Sequence, residues 1–262
     1  MPHEVGIVRY AEGDKSNPYS PPMSEANLHP YCGDPDPKHL VPVVKQKIGK
    51  NANGMDSKDY LTPGRQPYPD PWEGSDSRFF KWIIKETPQY LDRKEPSLKK
   101  LAIDENFELP PESNPVYLDF ETGEWVYFVI TNNYTYDMVD MPRNITPAYH
   151  PMHLHGHDFA ILAQGDGPFT EDIVPNLDNP PRRDVATVAQ GGHLWIAFQV
   201  NNPGAWLFHC HIAGHLKSGL ALQYIEQPKK IKGLMEKAGA VDGLLDRCES
   251  WSQWSHEKNF FS

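Results

Sequence analysis

The feature that most constrains this chain is a short stretch, residues 209–215, which reads His-Cys-His-Ile-Ala-Gly-His. Successive side chains of a β-strand point to opposite faces of the sheet. If the stretch begins as the end of a strand, Cys210 faces one way while His209 and His211 face the other. Thiolate and imidazole are both transition-metal ligands, so this alternation predicts two metal-binding faces on one strand.

A second stretch, residues 150–157, reads His-Pro-Met-His-Leu-His-Gly-His. Together the two stretches hold seven of the twelve histidines and one of the three cysteines. His215 can return to the thiolate side through a short turn, and His150 can supply a second nitrogen there. The histidines that share the opposite parity are expected to surround a second metal centre: His153, His155, His209 and His211.

The ligand types favour copper as the metal. Two histidines and one cysteine in a trigonal arrangement are typical of a blue copper site. Zinc is the competing metal, but a zinc site does not need further imidazoles that face away from the thiolate. A third interpretation treats both stretches as His-rich polar surface loops, which composition alone permits. Two tracts whose ligand types complete each other favour copper over both alternatives.

Both stretches resemble the last two copper-binding motifs of multicopper oxidases. The intervening segments Pro181–Asp184, Gly191–Gly192 and Asn202–His209 are similar to fungal laccases of the ascomycete type. The likeness is strongest from about Val116 to Glu226. It implies the C-terminal plastocyanin-like (cupredoxin) domain of such an enzyme, which is an all-β Greek-key sandwich.

This resemblance implies a complete blue, or type 1, copper site with three ligands: His150, Cys210 and His215. Leu220 falls at the axial position, where a leucine cannot coordinate, so a three-coordinate site of raised reduction potential is expected. Gly214 stands where laccases usually carry a bulky aromatic residue. The donor-facing wall beside His215 is therefore expected to be open.

A type 2 and type 3 copper cluster is implied only in part. His153 matches the type 2 ligand, and three residues match ligands of the type 3 pair: His155, His209 and His211. His157 matches no ligand and is expected to be structural. The family's other cluster ligands come from His-x-His pairs in N-terminal domains, and this sequence has no such pair outside the two stretches. The expected catalytic residues follow the electron path from donor to cluster: His215, Cys210, His209 and His211.

The implied function is one-electron oxidation of phenolic or other aromatic donors, with reduction of dioxygen to water. It requires the N-terminal cupredoxin domains that this sequence lacks. Two alternatives stay open: a stand-alone blue-copper electron-transfer domain, and a non-catalytic copper-binding fragment.

Charge and hydropathy argue against other partners. The 35 acidic and 25 basic residues give a net charge of -10 without a long basic run, so nucleic acid and anionic membranes are poor candidates. No apolar segment approaches the length of a membrane span. Polar and charged opening residues predict no secretory signal at Met1. The resemblance nevertheless favours a secreted glycoprotein. Two glycosylation sequons, at Asn133 and Asn144, add weak support for this expectation.

Domain organisation follows from composition and the resemblance. Residues 1–35 are expected to be a remnant of a preceding cupredoxin domain and a linker, with a strand-like run at Gly6–Tyr10. Residues 36–228 are the predicted cupredoxin domain. Helix formers with leucines at helical spacing predict a helical tail over residues 229–262.

Short β-branched and aromatic runs between turn residues predict the strands Phe79–Ile84, Val116–Leu118, Glu124–Ile130, Phe159–Leu162, His193–Val200 and Leu220–Ile225. Leu40–Val44 is predicted to be the first strand of the main domain, and residues 51–77 a long loop. Cys32 and Cys248 can pair with each other or with partners outside this chain. The resemblance pairs them with the absent domains, so both are expected to be unpaired here.

Overall fold

A computed structural model describes residues 34–53, 60–61, 63–68, 79–85, 87–132 and 149–257. All of these residues belong to one compact unit. The predicted strand at Gly6–Tyr10, Cys32 and both sequons lie outside the described residues. Within the described part, no helix combines the length and the apolar character needed to cross a bilayer.

Short β-strands dominate the described residues. They are β1 (Tyr60–Leu61), β2 (Pro63–Tyr68), β3 (Phe79–Ile84), β4 (Pro115–Leu118), β5 (Trp125–Thr131), β6 (His150–Leu154), β7 (Phe159–Gly165), β8 (Arg182–Arg183), β9 (Val185–Val188), β10 (His193–Gln199), β11 (Gly204–Cys210) and β12 (Ala221–Glu226). One five-stranded sheet has the order β1-β5-β10-β7-β8, and the other has the order β4-β12-β11-β6-β9. β2 and β3 form a separate two-stranded sheet.

The main hydrophobic core lies between the two five-stranded sheets, because its buried side chains come from both. β10 shows the predicted alternation, since Leu194, Ile196 and Phe198 are buried in this core. Across the interface Tyr224 of β12 packs against the rings of Phe198 and Phe128, with centroid separations of 5.4 and 4.8 Å. This arrangement confirms the predicted all-β sandwich.

Four α-helices occur in the described residues: α1 (Ser97–Ile103), α2 (Ala213–Lys217), α3 (Pro228–Lys237) and α4 (Val241–Glu257). α3 and α4 form the predicted helical tail. α1 was not expected, and Leu101 from it packs with Ile231 of α3 and Ile225 of β12 in a smaller apolar cluster. This cluster holds the start of the tail against the outer side of one sheet.

The prediction that Leu40–Val44 is a strand is wrong. These residues form neither strand nor bridge, and the valines are exposed at 67%, 98% and 74% for Val41, Val43 and Val44. Pro42 lacks a backbone donor for a sheet ladder, the backbone bends at Val43 and Val44, and the exposed valines bury no apolar surface, so nothing favours a strand here. The loop predicted over residues 51–77 is wrong in part, because it contains β1 and β2.

Candidate metal centres

Two neighbouring strands place most of the predicted ligands. β6 and β11 are antiparallel, and their register pairs His209 with His153 and Cys210 with Met152. Directly opposed residues of an antiparallel pair lie on the same face of the sheet. His153 and His209 therefore share one face, while Cys210 and Met152 share the other, buried face. The alternation inferred from the sequence is the one that the structure shows.

On the buried face, Cys210 lies beside His150 at the start of β6 and His215 on α2. The Cys210 Sγ is 3.6 Å from the Nδ1 of each histidine, and the two Nδ1 atoms are 3.3 Å apart. Cys210 and His150 are buried, whereas His215 is half-buried. Three potential ligand atoms thus converge on one point at the edge of the core.

Burial controls the protonation of this group. Desolvation raises the pKa of the Cys210 thiol to about 11, although a backbone hydrogen bond from Ile212 opposes the shift. Desolvation also lowers the pKa of His150 to about 3, and the neighbouring His215 lowers it further. Without a metal the thiol and this imidazole are therefore both neutral near pH 7. A metal ion that binds here must displace the thiol proton.

The dimensions of this group fit a late first-row metal ion. A point equidistant from three atoms at these separations lies about 2.0 Å from each, close to the bond lengths that imidazole and thiolate make with such ions. The donor set of two imidazoles and one thiolate is that of a blue copper site. Leu220 is fully buried next to the group, and its carbonyl accepts a hydrogen bond from Cys210 N at 3.1 Å. Its side chain offers no further donor atom.

A second group of imidazoles lies on the opposite face. His153, His155 and His209 each have a ring nitrogen, and these atoms lie within 4.8 Å of one another. The closest pair is His155 Nε2 and His209 Nε2, at 3.0 Å. His211 lies beside this group but outside its tight set, with its ring centroid 5.7 Å from that of His153. Three of the four predicted ligands therefore converge, and the fourth is adjacent and exposed.

Backbone carbonyls orient two of these rings. His153 Nδ1–H donates to the Asp184 carbonyl at 2.8 Å, and His209 Nδ1–H donates to the Cys210 carbonyl at 2.9 Å. Such hydrogen bonds fix the tautomer, so that each Nε2 lone pair is left for a metal. Partial desolvation lowers the pKa of His209 and of the more exposed His155, and neighbouring imidazoles lower both pKa values further. At His209 the hydrogen bond to the Cys210 carbonyl opposes this pKa shift. Neutral rings are the form that binds metal ions.

His157 joins neither group. Its Nε2–H donates to Glu226 Oε2 at 2.7 Å, and both side chains are almost fully buried. The other oxygen of Glu226 accepts a hydrogen bond from the backbone N–H of Asn202. Asn202 Nδ2 in turn donates to the Gly156 carbonyl at 2.9 Å. This network braces the loop between β6 and β7, which also carries His155.

Trp82 is a residue that sequence reasoning missed. Its ring stacks on His215, with centroids 4.1 Å apart and planes at 30°, and it meets His150 edge-on at 5.0 Å. The sequence predicted β3 as a strand but contained no signal that would place it against the motif at residues 209–215. Only the packing of the two-stranded sheet brings this indole to the Cys210 group.

Cys248 and His193 lie outside both groups of candidate metal ligands. Cys248 in α4 is a buried free thiol. Cys32, its possible disulfide partner, lies outside the described residues. His193 is buried in β10, where its Nδ1–H donates to the Gly167 carbonyl at 2.8 Å. His193 belongs to neither of the two groups of candidate metal ligands.

Comparison with known proteins points to the same chemistry as the two groups of candidate metal ligands. The sequence profile of the family described as "Multicopper oxidase" matches residues 84–230, which include both groups. "Oxidoreductase tpcJ" from Aspergillus fumigatus is 57% identical over 99% of this chain, and "Dihydrogeodin oxidase" from Aspergillus terreus is 56% identical over 96%. The chain covers 42% of each of these relatives.

Among solved structures, a laccase from Botrytis aclada superimposes with a TM-score of 0.66 at 31% identity. The match covers 94% of this chain and 40% of the laccase. This likeness confirms the predicted cupredoxin-like fold. The chain thus spans about two fifths of the length of the curated relatives and of the laccase that it matches.

Proposed function

The chain belongs to the multicopper oxidase family, and from that premise we propose that it is the copper-binding oxidoreductase domain of a laccase-like enzyme. Joined to N-terminal cupredoxin domains outside this sequence, it oxidises phenolic or other aromatic donors and delivers the electrons to dioxygen, which becomes water. One observation carries the proposal: His150, Cys210 and His215 converge on one face of the paired strands β6 and β11, and a second imidazole group lies on the other face.

The proposed roles follow from position. Copper held by His150, Cys210 and His215 supplies one-electron redox chemistry at a site that is mostly shielded from water. His215 is the half-buried member of the three, so it is the one that a donor can approach. Gly214 precedes it, and a Cβ added there would meet no described atom within 4 Å. The free space at Gly214 supports the expectation that the donor-facing side of His215 is open.

The route from the first group to the second is short because β11 contributes Cys210 to one and His209 to the other. The Cys210 backbone is bonded directly to His209 and His211. A hydrogen bond from His209 Nδ1–H to the Cys210 carbonyl adds a second link. These links would connect a copper ion held by the Cys210 thiolate to copper ions held by the imidazoles of the opposite face, and so offer a path for electrons between them.

The second group needs further ligands. His155 and His211 are exposed in the described structure, so this face is open to a partner surface. We place the N-terminal cupredoxin domains there, as suppliers of the remaining imidazoles. The shortfall in length relative to the curated relatives supports this assignment.

A second candidate function is a stand-alone blue-copper electron carrier. It is favoured by one observation, namely that this chain alone supplies the three ligand atoms of His150, Cys210 and His215, which lie within 4.8 Å of one another. Such a carrier would exchange single electrons and would not reduce dioxygen.

Copper titration of the purified chain tests the first site. We expect one tightly bound copper with intense blue absorption in the wild type, and no blue colour in Cys210→Ser. A chain that binds copper without colour, or aggregates on binding, would support a non-catalytic fragment instead.

A chimera tests the oxidase. The N-terminal part of the 57%-identical Aspergillus fumigatus relative is fused to this chain, and dioxygen uptake is measured with simple phenols and with dihydrogeodin. We expect donor-dependent uptake that Cys210→Ser abolishes. A blue chimera that transfers electrons to a chemical acceptor but consumes no dioxygen would favour the carrier.

We further propose that the complete enzyme is a secreted glycoprotein, on the strength of the laccase resemblance and the sequons at Asn133 and Asn144. Expression in a fungal host checks this by the fraction found in the medium and by the mass lost on enzymatic deglycosylation. Retention in the cell without glycan would contradict it.

A further inference from the structure

We infer that Trp82 is a positioning residue for the type 1 copper site, an inference that rests on the proposed function. The indole lies over His215 with the two planes at 30°, and its edge meets the ring of His150. One aromatic side chain therefore contacts both histidines of the group. It does so from β3, an element that supplies no ligand.

His215 is the ligand whose position most needs such support. It sits on α2, a helix of five residues that has no side-chain N-cap and no buried residue. The neighbouring Gly214 adds no side chain that could pack beside it. His150, by contrast, is buried in a paired strand. The stack with Trp82 gives the His215 ring a fixed wall on one side.

The backbone around Trp82 is built for close approach to the end of α2. Trp82 N donates to the Ser218 carbonyl, and Gln89 N donates to the Gly219 carbonyl, both at 3.0 Å. Gly219 has a φ of +108°, and a Cβ there would lie 2.7 Å from the Trp82 carbonyl oxygen. Only glycine permits both this conformation and this contact. The indole is thus set against the helix that carries His215.

Asn114 fixes the far end of the same strand. Its buried side-chain amide donates to three carbonyls, those of Ile84 at 3.2 Å, Thr87 at 3.4 Å and Ala221 at 3.0 Å. Ile84 ends β3 and Ala221 begins β12, so a single amide ties the Trp82 strand to the sheet that contains Cys210. The stacked ring is therefore held by the same framework as the thiolate.

Side chains that orient metal ligands are commonly worth about 10- to 100-fold in metal affinity. We expect Trp82→Leu to weaken copper binding roughly tenfold and to shift both the blue absorption band and the copper hyperfine splitting in electron paramagnetic resonance. Trp82→Phe keeps a flat ring and should restore most of the affinity and the wild-type spectrum. A purely structural role would lower stability without moving the spectrum.

The matched control is Trp195→Phe. Trp195 is also a partly buried tryptophan, but it packs against Tyr127 and Phe169 away from the metal groups. Its substitution should leave copper affinity and spectrum unchanged. Unfolding curves of the metal-free variants report any general loss of stability separately.

The wild type separates this inference from the proposed function. A colourless wild type contradicts the proposed copper site. A blue wild type with a Trp82→Leu variant of the same affinity and spectrum overturns the positioning role alone.

A second measurement covers the case in which Trp82→Leu does not fold. In the wild type loaded with copper(I), the ring current of a stacked indole should move the His215 ring protons upfield in nuclear magnetic resonance spectra. Trp82→Phe should show a smaller upfield displacement. His215 protons at ordinary positions in the wild type would overturn the inference.

Discussion

At the scale of single residues, the Cys210 sulfur decides what the buried face can bind. It lies at the boundary between the core and α2, and the side chain of Leu220 beside it can neither donate nor accept a proton or a metal bond. The environment is apolar, and the thiol keeps its proton until a metal ion replaces it. A thiolate flanked by two imidazoles favours soft and late transition-metal ions over hard ones, because sulfur is a soft ligand.

Leu220→Met tests the axial position. A thioether on this buried side chain brings a weak fourth ligand to the group, and axial ligation lowers the reduction potential of blue copper sites. We therefore expect a lower potential than in the wild type, measured by redox titration of the blue absorbance. Leu222→Met is the control, since Leu222 is equally buried but lies within β12, whereas Leu220 immediately precedes that strand. Equal potentials in all three proteins would contradict the assignment.

Glu226→Leu tests the buried contact with His157. The change leaves the His157 N–H and the Asn202 backbone N–H without their acceptor inside the protein. Breaking a buried pair of this kind costs about 3 kcal/mol or more. Urea unfolding of the metal-free protein measures the loss.

The exposed pair of Lys229 and Asp119, 3.9 Å apart, supplies the control for this prediction. Asp119→Asn should cost less than about 1 kcal/mol, because exposed ion pairs contribute little. If the two substitutions cost the same, the network around His157 does not stabilise the fold.

The grouping of the candidate metal-ligating histidines and Cys210 could be predicted from the sequence, because residue type and strand parity decide which side chains share a face. That the two groups bind metal stays a prediction. Trp82, Glu226 and Asn114 could not be predicted, because each acts on a residue far away in the chain. Their partners are defined only once β3, β4 and β12 have packed together. Sequence spacing carries information about contacts within an element and little about contacts between distant ones.

At the scale of elements, the loop between β6 and β7 has little freedom. Gly156 has a φ of +74°, and the Trp206 ring lies where its side chain would be. Trp206 is held in turn by a hydrogen bond from its Nε1–H to the Asn202 carbonyl at 2.7 Å. The position of His155 therefore depends on Gly156, Trp206 and Asn202, none of which belongs to either group of candidate metal ligands.

Gly156→Ala should destabilise the protein by about 3 kcal/mol, since it combines a disfavoured backbone conformation with a collision in a packed region. Gly123→Ala is the matched control, because Gly123 also has a positive φ, +95°, but no described atom lies within 4 Å of its added Cβ. It should cost only about 1–2 kcal/mol. Thermal unfolding of both variants measures the difference, and equal costs would show that the Trp206 contact is unimportant.

Strands were predictable wherever apolar residues alternate, as in β10, or form a run bounded by turn residues, as in β3 and β7. Leu40–Val44 is also an apolar run, but it pairs with none of the described strands, and its valines are exposed to water. β1 and β2 escaped prediction because proline and glycine in the region indicated a loop. Pairing with a neighbour, rather than local propensity, decided all three cases.

At the scale of the whole molecule, metal binding and folding are linked. His150, Cys210 and His215 come from β6, β11 and α2, and they lie close together only in the folded chain. Copper should therefore raise the unfolding temperature, by an amount equivalent to about 2.7 kcal/mol at a free concentration 100 times the dissociation constant. Calorimetry with and without copper measures this, and removal of copper by a chelator should reverse it. Cys210→Ser should lose most of the effect.

The pairing of β6 with β11 determines the geometry of both groups of candidate metal ligands. His209 lies opposite His153 on one face, and Cys210 lies opposite Met152 on the other. A slip of one residue would turn every side chain of a strand to the wrong face. A wrong pairing would therefore disrupt both groups at once. A chain that becomes blue on binding copper has also aligned His153 with His209 on the other face. The blue colour is thus a visible assay for correct pairing of β6 with β11.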